Sequence, residues 1–322
     1  MRIQLTPRQA FIQALKRLPI QGHVPHFEIV FSPVMEAFGM VHPKYRKFPQ
    51  WQQFTQTERD LQLADMARCY VQTARRYNHS AIHVHPLTDS PEDTIALLKV
   101  VREMSGDEFF LMIHGDPTPA IPDGNSMMDF SVRMYDDPES IHRETKAKLK
   151  KYQNLAQALS RYPGLLDGFI LCSDYCFSQN PFFTLDQYDE FIGPYLRQII
   201  HTYHDLGFFA IKHTDGNIMP LLDRLVDSGA DALHSLDPQG GVDLATVKQE
   251  VGGRICLIGN VNCGLLQTGT DDEVAEDVLR ALRQGMPGYG YIFSTSNSIF
   301  AGLPLERYEL MNRVWYEEGI YR

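Results

Sequence analysis

Nowhere does this sequence hold an apolar run of about 18 residues, the minimum that a bilayer-spanning helix requires, and its opening Met1-Arg2-Ile3-Gln4-Leu5-Thr6-Pro7 lacks the apolar centre of a secretory leader. Cysteine is sparse and unpaired. Cys69, Cys172, Cys176, Cys256 and Cys263 make an odd set of five without a CxxC spacing, which argues against a disulfide framework. Positive charge is also short, with 30 Lys and Arg against 40 Asp and Glu for a net charge of −10. Nucleic acid and anionic membrane are therefore poor partners. No short-period repeat, low-complexity tract or linker divides the chain, so residues 1–322 are read as one domain of a soluble, cytoplasmic protein.

What remains is an ordinary globular balance, 43% hydrophobic and 22% charged, arranged as short apolar runs that alternate with helical patterns. Strands are expected at Val24–Glu28, Ala81–His85, Phe109–Ile113, Gly168–Cys172, Phe208–Lys212, Ala232–Leu236, Ile255–Ile258 and Tyr289–Phe293. Among the helices, Glu58–Tyr77 is a long periodic run, and Thr270-Asp271-Asp272-Glu273 spells a capping box. Eight strands alternating with helices predict an α/β fold, a closed parallel (β/α)8 TIM barrel. Two long βα segments, about 32–57 and 116–138, are expected to cover its mouth.

In such a barrel, polar side chains at the carboxyl ends of the strands build the site. His213 and Asp215 stand two apart on an extended segment and so share a side. Glu28, His85, His114, Asp116 and Asp174 occupy other strand ends, with Tyr175, Asn260 and Asn297 close by. A His, Asp and Glu set such as His213, Asp215 and Glu28 suits Zn2+ with one open position. The same groups would equally serve as hydrogen-bond partners or helix caps. Asp237 is either part of this set or a turn residue before Pro238, and Cys263 is the nearest thiol.

The segments His213-Thr214-Asp215-Gly216-Asn217, Gly229-Ala230-Asp231-Ala232, Cys256-Leu257-Ile258-Gly259-Asn260-Val261 and Gly290-Tyr291-Ile292-Phe293 resemble the uroporphyrinogen decarboxylase superfamily. Pro181–Pro194 resembles the lead-in to that family's fifth crossover helix. The resemblance implies a (β/α)8 barrel and one of two chemistries. One is cofactor-free porphyrinogen decarboxylation. The other is zinc-assisted methyl transfer with a corrinoid protein.

Two departures separate this chain from both. The decarboxylases carry an arginine-rich, substrate-binding segment after the first strand, where this sequence reads Pro25-His26-Phe27-Glu28-Ile29-Val30-Phe31. The thiol-alkylating branch binds zinc through His-x-Cys and a later Cys, where this sequence has His213, Asp215 and, near the later position, Asn297. The expectation is metal-assisted methyl transfer to or from a small molecule, with the corrinoid on a separate partner protein. Asp215, His213 and Asp174 are expected to be catalytic. Glu28, His85, Asp116, Tyr175, Asn260 and Asn297 are expected to meet substrate. A decarboxylase-like lyase acting on an acidic substrate and a non-catalytic ligand-binding barrel are the other two readings, and a homodimer is left open.

Overall fold

In the computed structural model, which describes residues 5–321, seven of the eight expected strands form, and with two further short strands the described residues hold nine. Met1–Gln4 of the terminus read above lies outside the described residues. The strands are β1 (Gly22–His23), β2 (Ala81–His83), β3 (Phe110–His114), β4 (Gly168–Cys172), β5 (Phe209–Thr214), β6 (Ala232–Ser235), β7 (Cys256–Val261), β8 (Tyr291–Thr295) and β9 (Ile320–Tyr321). Strands β2 to β8 form one parallel sheet in sequence order. Helices cover its outer face, the arrangement of a (β/α)8 barrel.

The first expected strand differs from its expectation. Only β1 is regular there, and it pairs antiparallel with β9 rather than entering the barrel. The residues that follow span the two sheet edges. Phe27 N donates to Phe293 O, Phe293 N to Pro25 O, and Ser80 N to His26 O. Closure is thus irregular because Pro25 has no N–H for a full ladder.

Strand alternation sorts the side chains into two cores. Ala81, Phe110, Met112, Ile170, Ile211, Ala232, Ile258 and Ile292 fill the barrel, while Leu111, Phe169, Leu171, Leu233, Leu257 and Phe293 pack outward against the helices. The helix Pro7–Leu15, begun by a Thr6 capping box, stoppers the amino-terminal end, with Phe11 packed 4.7 Å from the Phe110 ring. The long helix Gln56–Arg76 and the capped helix Asp271–Gly285 lie where their periodicity places them. Of the two long βα segments, the first carries Val34–Phe38 and the second Met127–Asp136. Among the described residues no helix is long and apolar enough to cross a membrane.

Candidate functional site

At the carboxyl end of the barrel, β5 delivers His213 and its continuation delivers Asp215, while the residue two beyond β4 delivers Asp174. One ligand atom from each of the three lies within 4.8 Å of the others. His213 Nε2 stands 3.7 Å from Asp215 Oδ2 and 3.9 Å from Asp174 Oδ1. Asp174 Oδ1 also accepts from Asp215 N at 3.0 Å, which ties the two loops together. The turn after Asp215 needs glycine. Gly216 has φ +80°, and a Cβ there would meet Phe177 O at 2.5 Å.

Asp215 is held unevenly. Its Oδ2 accepts from the Asn297 side chain, whereas its Oδ1 is buried without a partner. Burial raises its carboxyl above the ordinary range, while His213 opposes that rise. A cation would satisfy both the orphaned oxygen and the carboxylate pair. One imidazole nitrogen and two carboxylates form a donor set that fits a borderline divalent ion such as Zn2+ with a position left open. No lysine or arginine forms an ion pair with Asp174 or Asp215 among the described residues.

Behind His213 the site continues inward. His213 Nδ1 lies 2.7 Å from Nδ1 of His234, on β6, and His234 Nε2 lies 3.3 Å from Ser294 Oγ on β8. Both His234 and Ser294 are fully buried, and burial holds His234 well below the ordinary imidazole range. The alternation that turns His213 inward also turns His234 inward, because β5 and β6 pair these two residues directly. That register is the signal the sequence offered for His234, which was not among the residues expected to act.

The uroporphyrinogen decarboxylase (URO-D) profile matches residues 167–317, the part that carries Asp174, His213, Asp215 and His234. A uroporphyrinogen decarboxylase from Cellvibrio japonicus is 23% identical over 317 residues, covering 89% of this chain and 76% of that protein. Residues 167–317 thus resemble the uroporphyrinogen decarboxylase family. In fold it is similar to a methyltransferase from Methanosarcina mazei, with TM-score 0.74 at 15% identity, over 97% of this chain and 99% of that one. A candidate vitamin-B12-independent methionine synthase from Listeria monocytogenes shares the fold more loosely, with TM-score 0.55 at 14% identity, over 93% of this chain and 97% of that one.

Apart from Asn297, the other expected site residues lie away from the triad. Glu28 does not join it. Its carboxyl is fully buried 2.5 Å from Thr295 Oγ1 and 3.1 Å from His26 Nε2, so it is already partnered away from His213. Asp116 turns away from the mouth, where its oxygens take Lys212 Nζ at 2.8 Å and the Thr118 hydroxyl at 2.6 Å. Burial alone raises this carboxyl, but the Lys212 ammonium overrides it and holds the pKa below the ordinary value. Tyr175 is fully buried, its hydroxyl 2.7 Å from Thr118 and its ring 4.1 Å from Lys212 Nζ.

Asn260 is fully buried, its amide donating to Leu236 O and accepting from the Arg280 guanidinium. His85 meets the hydroxyl of Tyr70, and its ring lies tilted 4.1 Å from that of His83, with His42 of the first long segment 5.6 Å away. Asn297 does reach the triad, through Asp215. Asp237 caps the short turn Pro238–Gly240, the turn-residue reading. Burial pushes the Cys263 thiol up to about 11, so it is no thiolate at neutral pH.

Proposed function

We propose that this protein is an enzyme of the methyl-transfer arm of the uroporphyrinogen decarboxylase superfamily, using a divalent ion, Zn2+ by the chemistry of its donors, held by Asp174, His213 and Asp215. The observation that carries this reading is the convergence of those three side chains within 4.8 Å at the barrel mouth, with Asp215 Oδ1 buried and unpartnered. When bound, the ion supplies Lewis-acid stabilisation to the heteroatom from which, or to which, a methyl group passes. The methyl group's other station is the cobalt of a corrinoid on a separate protein. The fold likeness to a methanogen methyltransferase is consistent with that assignment, although at 15% identity it speaks for the fold alone.

The residues have distinct tasks in this reading. His213 presents Nε2 to the ion. Asp174 and Asp215 neutralise its charge, and Asn297 steers Asp215 by donating to Oδ2. Asp174 is the most open of the three, with a side chain 46% exposed, and faces incoming substrate. An acid with many carboxylates is disfavoured by the paired aspartates and by the absence of arginine from Pro25–Phe31.

The decarboxylase name of the curated relative keeps a second reading in view. There Asp215 would serve proton chemistry on a smaller acid without any metal. Replacing Asp215 by Ala, Asn and Cys separates the two when zinc affinity and turnover are both measured. Under metal-assisted methyl transfer, Asp215→Ala weakens zinc binding by about 10- to 100-fold, and Asp215→Cys keeps it through a softer ligand. Under proton chemistry, Asp215→Asn abolishes carbon dioxide release while substrate binding survives. Zinc affinity unchanged in Asp215→Ala would remove Asp215 from the ligand set.

A further inference from the structure

The second nitrogen of His213 is committed to an unusual partner. Two imidazole Nδ1 atoms 2.7 Å apart can share one proton, since two lone pairs or two N–H groups at that distance would repel. A neutral imidazole carries a single proton, so fixing which Nδ1 holds it also fixes the protonation of both Nε2 atoms. At the far end, Ser294 Oγ lies 3.3 Å from His234 Nε2 and can either donate or accept. The three groups sit on three strands, β5, β6 and β8, and His234 and Ser294 are fully buried. Their geometry is therefore set by the barrel and not by a loop.

We propose that His234, oriented by Ser294, is a positioning residue that fixes the ring and tautomer of His213 and lets Nε2 change from an N–H group to a ligand without a change in total charge on the pair. This rests on the metal-site reading given above. Without an ion, His213 carries its proton on Nε2, facing the Asp174 and Asp215 carboxylates at 3.9 and 3.7 Å. His234 then donates from Nδ1, and Ser294 donates to His234 Nε2.

With an ion bound, His213 gives up the Nε2 proton and the shared proton crosses to its Nδ1. His234 takes up one proton at Nε2 and donates it to Ser294 Oγ. The proton released from His213 Nε2 and the one gained at His234 Nε2 are both exchanged with water, so both rings stay neutral and the chain of hydrogen bonds reverses direction. Metal-ligating histidines ordinarily donate their remaining N–H to a fixed acceptor, and loss of such a partner lowers metal affinity by about 10- to 100-fold. Here the acceptor is itself an imidazole, which alone among neutral side chains can receive at one nitrogen while donating at the other.

The test joins zinc titration to nitrogen NMR of histidine-labelled protein. In the metal-free wild type we expect one proton shared between the two Nδ1 atoms. Zinc should convert His213 from an Nε2–H to an Nδ1–H tautomer and His234 from Nδ1–H to Nε2–H. His234→Phe, which keeps the ring but no acceptor, should weaken zinc binding by about 10- to 100-fold, and His234→Gln should restore part of that loss. Ser294→Ala should weaken it by several-fold and Ser294→Thr should restore it, a pair that remains informative if His234→Phe does not fold.

Two unshared Nε2–H tautomers in the metal-free wild type would overturn the relay whether or not zinc binds. Wild-type zinc affinity in a folded His234→Phe would overturn it as well. A wild type that shares the proton but binds no zinc would instead defeat the metal-site reading and leave the pairing of the two rings standing.

Discussion

Glu28 and Thr295 pose a proton count that decides the state of a fully buried carboxyl. Thr295 Oγ1 lies 2.7 Å from Asn297 O, which can only accept, and 2.5 Å from Glu28 Oε2. The threonine has one proton. If it donates to the carbonyl, the short contact to Glu28 is a hydrogen bond only when Glu28 is the donor, hence protonated. Burial acts the same way, pushing this carboxyl from 4.5 up to about 8 despite the Thr295 hydrogen bonds.

The folded state then binds a proton that the unfolded state has released. Stability from this group is full below about pH 4.5 and is lost as pH rises toward about 8. Glu28→Gln keeps the donor and removes the titration. Relative to wild type, its melting temperature should therefore be similar near pH 5 and progressively higher toward pH 8, by up to a few kcal/mol in stability. Parallel melting curves for the two proteins across that range would show that Glu28 is ionised in the native state.

The strand ends are braced by a buried ion pair, of which only Asp116 was expected at the site. Lys212, on β5, is fully buried and donates to Asp116 beyond β3 at 2.8 Å and to Leu171 O and Ser173 O around the end of β4, at 3.3 and 2.9 Å. It thereby fixes the chain immediately before Asp174. Lys212→Met leaves Asp116 buried and unpaired, a loss of about 3–5 kcal/mol. Adding Asp116→Asn should recover part of it, so that the double variant unfolds at higher denaturant than the single one. Equal or lower stability of the double variant would mean that the pair is not what braces these ends.

Sequence could not separate the two roles. His213 and Lys212 are adjacent, and alternation shows only that one faces into the barrel and the other outward. The outward lysine is matched to Asp116 by loop geometry with no local signature, and the same holds for Asn260 and Arg280. Alternation did suffice for the interior of seven strands and for His213, and the capping box for the helix begun by Thr270. It failed at Val24–Glu28, where Pro25 and the pairing of Gly22–His23 with Ile320–Tyr321 replace a regular ladder. The same register reasoning extends to His234, whose partner lies 21 residues away in sequence.

At the scale of the whole barrel, the carboxyl end is polar while the amino end is sealed by apolar packing. Phe11 is fully buried between Phe110 and Phe27, at ring separations of 4.7 and 6.1 Å. Phe11→Ala opens a cavity at that floor and should cost about 3–5 kcal/mol. Because the triad hangs from the opposite ends of β4 and β5, zinc affinity in the folded variant should stay at the wild-type value. A loss of zinc binding without unfolding would show that the floor and the mouth are coupled.

If Asp174, His213 and Asp215 form a metal site, the purified protein binds metal through them. After equilibration with Zn2+ and removal of the excess, elemental analysis should find one equivalent per chain in the wild type. His213→Ala, folded by its melting curve, should retain almost none. A wild type that stays metal-free while fully active, or a His213→Ala protein that keeps its full equivalent, would contradict the account.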